Sequence, residues 1–158
     1  MLKTLCHQHP NIAYFCRNIG FLFTRKVEFD KALKFHQQCL DILLKILGNQ
    51  HPETADSYFH IGNLQMKLEL YQKAIESHKA GFGIKKQGGF PFQIAKYHEK
   101  LKELELALDY YIQSAEIRMH DPKAGPNYSP TKEAIFEVIR LSKTLKMEDV
   151  LPEWIKVI

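Results

Sequence analysis

Apolar residues recur at steps of three and four along most of this chain, which is the spacing of one face of an α-helix. Cys16, Ile19 and Phe23 form the first such stripe, and a second runs from Ala32 to Leu47. These stripes predict helices over about 11–25 and 28–46. The same spacing predicts further helices over about 53–67, 70–86, 91–102 and 104–119. The sequence therefore predicts consecutive helical hairpins.

The pattern also repeats as sequence. His9-Pro10-Asn11-Ile12-Ala13 returns 42 positions later as His51-Pro52-Glu53-Thr54-Ala55, and Asp30-Lys31-Ala32-Leu33 returns as Gln72-Lys73-Ala74-Ile75. A fixed period of this length is typical of a solenoid, in which each unit buries its apolar face against its neighbours.

Small residues hold matching places in the predicted hairpins. Gly20, Gly62 and Ala95 each precede an alanine by 12 positions, and these alanines are Ala32, Ala74 and Ala107. A small residue on each helix predicts that the two backbones of a hairpin approach closely, because a larger side chain would overpack the contact. The third unit is shorter and opens with Gln87-Gly88-Gly89-Phe90-Pro91.

These residues resemble the tetratricopeptide repeat family. The 42-residue form, with Leu-Gly-x-x-His-Pro-x-x-Ala and Asn-Ile-Gly, is similar to the kinesin-light-chain type. The resemblance implies an all-α superhelix, a solenoid of about three helix-turn-helix repeats with a C-terminal capping helix. The first helix of each pair is then expected to line a concave groove.

The expected organisation follows from the repeats and the breakers between them. Residues 1–8 read as the tail of a preceding repeat, and 9–120 as the array, with repeats at about 9–50, 51–87 and 88–120. Residues 121–129 form a loop. Residues 130–158 form capping helices, with Ser129 as a helix N-cap and Trp154-Ile155 folded back. Either the chain is cut from a longer array or it starts abruptly. An abrupt start would leave the apolar side of the first helix without its usual neighbour, and in that case we expect this face to mediate self-association.

The resemblance also places the groove. On the first helix of each pair, the concave positions lie three before and one, four and five after the small residue. With Asn18, which matches an asparagine of the kinesin-light-chain type, the expected partner-binding residues are Arg17, Asn18, Phe21, Thr24, Arg25, Phe59, Asn63, Met66, Lys67, Phe92, Lys96, Glu99 and Lys100. This mixture of apolar and basic groups is suited to a protein or peptide segment with acidic and apolar side chains.

Charge and motifs narrow the function further. The net charge is +4, and basic and acidic residues are interspersed. The repeats also lack a recurring pair of polar residues that could recognise bases, so nucleic-acid binding is the weaker alternative. No catalytic motif, phosphate-binding glycine loop or cofactor signature is present. The main expectation is a non-catalytic adaptor or scaffold. A regulatory or sensor fragment of a larger signalling protein or enzyme remains the alternative.

Cysteines and histidines suggest no metal site. Cys6, His7 and His9 lie close together but lack the paired spacing of a zinc site, and His36 and Cys39 fall on a core face. The three cysteines are unpatterned, and the sequence shows neither a membrane span nor a signal peptide. We therefore expect a cytoplasmic protein.

Overall fold

The computed structural model describes residues 10–122, 128–147, 149 and 151–156, and this part of the chain is all-α. Its helices are α1 (Pro10–Arg25), α2 (Phe29–Ile46), α3 (Pro52–Lys67), α4 (Tyr71–Ile84), α5 (Gly89–Lys100), α6 (Leu104–Met119), α7 (Ser129–Leu145) and α8 (Glu153–Lys156). The predicted helices agree with these bounds to within two residues. The expectations for residues 1–8 lie outside the described residues.

The chain divides into two compact units after Lys85. In the first unit α1 pairs with α2, α3 pairs with α4, and α2 packs against α3. In the second unit α5 pairs with α6, and α6 packs against α7. Each unit therefore contains helical hairpins of the expected kind.

The boundary between the first two hairpins follows from local chemistry. Gly48 comes just after α2 and has a φ of 84°, a conformation that glycine adopts without strain. His51 is the N-cap of α3, and its Nδ1 accepts a hydrogen bond from the backbone N–H of Glu53 at 3.2 Å. Pro52 begins the helix, where its missing N–H has no partner to lose. The repeated His-Pro thus has a structural role at residue 51.

The turn inside each hairpin repeats one backbone conformation. Val27, Glu69 and Lys102 have φ values of 63°, 59° and 62°. The residue after each one returns its N–H to a carbonyl of the preceding helix; the Glu28 nitrogen, for example, lies 3.0 Å from the Phe23 oxygen. All three turns are therefore closed by backbone hydrogen bonds rather than by glycine.

The small residues of the first two hairpins each lie against a histidine ring of the second helix. A Cβ added to Gly20 would lie 2.7 Å from the His36 ring, and one added to Gly62 would lie 2.5 Å from the His78 ring. Both histidines are almost fully buried. A larger side chain at either glycine would therefore overpack the hairpin, as predicted, and the group it would strike is an imidazole of the second helix.

The second unit has one continuous core, which joins α5, α6, α7 and the C-terminal residues. Ala107, Tyr111, Val138 and Leu141 are buried within it. Ile155 is only 6% exposed and Trp154 packs beside it, as the predicted fold-back requires.

One expectation for this unit is wrong: Ser129 is not the N-cap of α7. Tyr128 holds that position, because its carbonyl accepts hydrogen bonds from the backbone N–H groups of Thr131 and Lys132. The Tyr128 side chain makes no capping hydrogen bond.

Candidate partner-binding site

The first unit contains a cavity of about 300 Å³ between the inner faces of α1 and α3. Its lining residues are Arg17, Asn18, Phe21, Asp56, Phe59 and His60. Four of these six are predicted groove residues. Asp56 and His60 are additions, and they lie one helical turn or less from Phe59 on the same helix.

Phenyl and imidazole rings pack edge to face around this cavity. Phe21 meets the rings of His36 and His60 edge to face, with centroids 5.0 and 4.9 Å apart. Phe59 meets His78 in the same way at 5.1 Å. Edge-to-face packing is the preferred arrangement of such rings. Two buried histidines are thus covered by phenyl rings on the side of the cavity.

These histidines are neutral at physiological pH. Burial lowers the pKa of His36 to about 4, with smaller contributions from His60 and Arg17, and burial lowers the pKa of His78 to about 3. The pKa of His60 is also lowered, chiefly by burial. The floor of the cavity therefore behaves as an apolar, uncharged surface.

The charges at the edge of this cavity are partly balanced. The Arg17 guanidinium lies 3.9 Å from Glu53 and 4.6 Å from the centre of the Tyr14 ring. The Lys85 ammonium donates a hydrogen bond to Asp56 at 3.0 Å. Both charges that line the cavity thus have partners within the chain.

The second unit contains a separate cavity of about 330 Å³. Helix α5 supplies Phe92, Lys96, Glu99 and Lys100, helix α6 supplies Tyr111, and helix α7 supplies Glu133, Glu137 and Arg140. All four predicted residues of α5 are therefore together. The four residues of α6 and α7 are additions that the sequence analysis missed.

A hydrogen-bonded network occupies one side of this second cavity. Arg140 donates to Glu99 and to Glu137, both at 2.6 Å, and the Tyr111 hydroxyl donates to Glu99 at 3.0 Å. Glu99 is thus held by one partner on α6 and one on α7, with 28% of its side chain exposed. Lys96 and Lys100 are exposed, and in the described part of the chain neither lies within ion-pair distance of a carboxylate.

The remaining predicted residues line neither cavity. Thr24 donates its hydroxyl to the Gly20 carbonyl of its own helix at 2.9 Å. Arg25 and Lys67 are exposed, and Asn63 and Met66 are half-buried. They stay predicted contacts. The missed α7 residues had one signal in the sequence, because Glu133, Glu137 and Arg140 recur at steps of four and three along a helix.

No group of three or more metal-ligating side chains comes together within the residues that the structure describes. The trio of Cys6, His7 and His9 lies outside them. Cys16 and Cys39 are buried free thiols. In the described segments, no helix combines the length and the hydropathy needed to span a bilayer.

A protein-family model named Tetratricopeptide repeat matches residues 11–87, which cover α1 to α4. These first two hairpins belong to the tetratricopeptide repeat family. This assignment agrees with the helical hairpins, the small positions and the 42-residue period. A kinesin-light-chain protein with TPR-like repeats from Podosopora anserina has a TM-score of 0.72 at 13% identity, covering 89% of this chain and 70% of that one.

Two other proteins are similar to this chain. The type III secretion chaperone SycD of Yersinia enterocolitica, in complex with a peptide of the translocator YopD, has a TM-score of 0.67 at 18% identity and covers 86% of this chain and 93% of its own. The clustered mitochondria protein homolog of Danio rerio is 29% identical over 115 residues, which are 73% of this chain. The chain spans 8% of that relative's length.

Proposed function

We propose that this chain is a non-catalytic protein-interaction module that binds peptide or protein segments. The proposed surface of the first unit is the inner faces of α1 and α3, and that of the second unit is the inner face of α5. The observation that carries the proposal is the pair of cavities, each lined by predicted groove residues of those helices. A structure similar in fold, that of the chaperone SycD, holds a peptide of the translocator YopD.

The proposed partner segment carries acidic and apolar side chains. Lys96 and Lys100 supply two unpaired cations beside the second cavity, and Phe21 and Phe59 supply exposed or half-exposed rings at the first. Charges of this kind speed and orient encounter, whereas buried aromatic contacts hold the complex. The cytoplasm stays the predicted location.

A charge-reversal capture experiment tests this proposal. The wild type, a Lys96→Glu/Lys100→Glu variant and a Lys45→Glu/Lys73→Glu control are immobilised and exposed to lysate of the source cells. The control makes the same change in charge at exposed positions of α2 and α4. We expect a captured protein to be lost only with the first variant. Its equal retention by all three would remove the second cavity from the proposal.

The first cavity requires its own variant. Phe21→Ala with Phe59→Ala removes both rings at its edge and leaves the charges unchanged. We expect it to weaken binding of the captured protein at least tenfold, as for the loss of an interface anchor. Unaltered affinity would limit the binding surface to the second unit.

An alternative proposal is that the chain is a regulatory part of a larger protein. Its support is the Danio rerio relative, in which the matched region is only 8% of the length. If the chain has a role of this kind, the captured protein should bind with equal affinity to this chain alone and to the same region within a longer protein. Expressing both proteins and measuring the two dissociation constants would test this.

A further inference from the structure

The second cavity is lined by charges of both signs, and the two signs come from different helices. Helix α5 contributes Lys96 and Lys100, whereas helix α7 contributes Glu133 and Glu137. The Phe92 ring, which also lines the cavity, is buried. A segment that enters this cavity therefore meets mainly charged groups, with cations on the α5 side and carboxylates on the α7 side.

Contacts near both ends of the cavity show that α5 and α7 run side by side in the same direction. Near the start of both helices, the Arg118 guanidinium lies 4.8 Å from the centre of the Phe92 ring and also donates a hydrogen bond to the Pro130 carbonyl. Near their ends, Arg140 of α7 donates to Glu99 of α5 at 2.6 Å. Residues that precede Arg140 and Glu99 by the same number of positions therefore lie at about the same level.

This register separates the charges along the cavity. Glu133 is seven positions before Arg140, whereas Lys96 is three before Glu99 and Lys100 is one after it. At 1.5 Å per residue, the level of Glu133 is about 6 Å from that of Lys96 and about 12 Å from that of Lys100. An extended chain advances about 3.3 Å per residue, so its side chains that reach both levels are about two to four positions apart.

Of the two carboxylates on α7, Glu133 is the one left accessible. Arg140 donates from its Nε to Glu137 at 2.6 Å. Glu133 is exposed, and within the described residues it lies within ion-pair distance of no cation. Burial lowers the pKa of Arg118, and the charge of Glu133 opposes that shift, but the Arg118 guanidinium donates to the Pro130 carbonyl instead.

We propose that the second cavity binds an extended segment of a partner protein that carries a basic side chain as well as an acidic one, about two to four positions apart. The basic side chain pairs with Glu133, and the acidic one pairs with Lys96 and Lys100. This specificity rests on the proposed function and narrows it. A segment with acidic side chains alone would bring one of them to Glu133, and such a like-charge contact excludes wrong partners.

Three pools of fluorescein-labelled synthetic peptides test this specificity with the full chain. All pools share the same apolar and glycine positions and have two charged positions three residues apart. One pool carries lysine with glutamate in both orders, one carries glutamate at both positions, and one carries lysine at both. We expect fluorescence anisotropy to show the mixed pool bound about tenfold more tightly than either other pool. At about 1 M salt, where the screening length is about 3 Å, this difference should disappear.

Charge reversals assign the preference to the two walls. Glu133→Lys should weaken binding of the mixed pool about tenfold and strengthen binding of the acidic pool, an exchange that a loss of structure does not produce. Lys96→Glu with Lys100→Glu should move the preference to the basic pool. Asp109→Lys is the matched control, because it makes the same change of charge as Glu133→Lys at an exposed position of α6, and it should leave all three affinities unaltered. Circular dichroism should be unchanged in every variant, since these side chains are exposed.

The outcomes separate this specificity from the proposed function. An acidic pool that binds as tightly as the mixed pool, and is lost with Lys96→Glu/Lys100→Glu, would overturn the specificity and leave the proposed function standing. Equal effects of Glu133→Lys and Asp109→Lys would overturn the specificity as well. If none of the pools binds, both the specificity and the role of the second cavity as a peptide site are overturned.

Discussion

Val27 holds a left-handed backbone conformation, with a φ of 63°, that β-branched residues rarely adopt. Its side chain is 68% exposed and adds little packing there. Glu69 and Lys102 hold the same conformation in the two later turns without branching at Cβ. The first turn is therefore the most strained of the three.

We expect Val27→Gly to stabilise the protein by about 1 kcal/mol. Glycine removes the left-handed penalty of roughly 1–2 kcal/mol, and its greater conformational entropy in the unfolded chain offsets part of that gain. Thermal and urea unfolding would measure the change. Val27→Ala is the control, since it keeps Cβ and should give a smaller gain. A glycine variant less stable than the wild type would show that the turn is not strained.

At the same scale, the sequence predicts where the small residues stand but not what they touch. Gly20 and Gly62 are visible as repeated small positions, and His36 and His78 fall on the predicted core face. Spacing alone places a histidine on a face; it does not say that its ring lies over a particular glycine. That contact depends on side-chain rotamers and on the separation of the helices.

Within a hairpin, the contact of Gly62 with the His78 ring makes a sharp prediction. Gly62→Ala should cost about 1–3 kcal/mol through overpacking, because the new Cβ would lie 2.5 Å from the imidazole. Gly83→Ala in α4 is the matched control. It meets nothing within 4 Å and should be neutral or stabilising by up to about 1 kcal/mol.

Combining Gly62→Ala with His78→Ala tests whether the cost of the glycine substitution comes from the clash with the imidazole. The double variant should be less destabilised than the sum of the single variants, since the ring that the methyl group strikes is gone. Strict additivity in urea unfolding would mean that the glycine is required for another reason.

For whole elements, helix positions were predictable because periodic apolar residues and breakers specify them locally. The role of α7 was not. The sequence marks it as a cap, whereas the structure brings its Arg140 to Glu99 of α5 at 2.6 Å and makes it a wall of the second cavity. A contact between residues 41 positions apart depends on how two helices pack, which their own periodicity does not encode.

For the whole molecule, the buried histidines predict acid destabilisation. Their folded pKa values, about 4 for His36 and about 3 for His78, lie below the ordinary 6.5. The unfolded chain therefore binds protons first, so the free energy of unfolding is highest above pH 6.5 and falls as pH decreases. Each histidine contributes a slope of up to about 1.4 kcal/mol per pH unit.

Urea unfolding between pH 7 and 5.5, where carboxylates stay ionised, would measure this slope. His78→Asn should reduce it, and His120→Asn, at an exposed position, should leave it unchanged. A stability that is flat over this range, or that rises as pH falls, would contradict the assignment of neutral buried histidines.

The edge-to-face ring contact recurs in both units with different chemistry. Phe59 covers His78 at 5.1 Å, and Phe92 covers Tyr111 at 5.3 Å, 33 positions further on in each helix. The small residue beside the first pair is Gly62, and the one in the later hairpin is Ala95. Between these two hairpins the small residue and the ring of the second helix differ together. A graft of one hairpin's ring into the other should therefore carry its phenylalanine and its small residue with it, because a methyl group added beside the imidazole would overpack the contact.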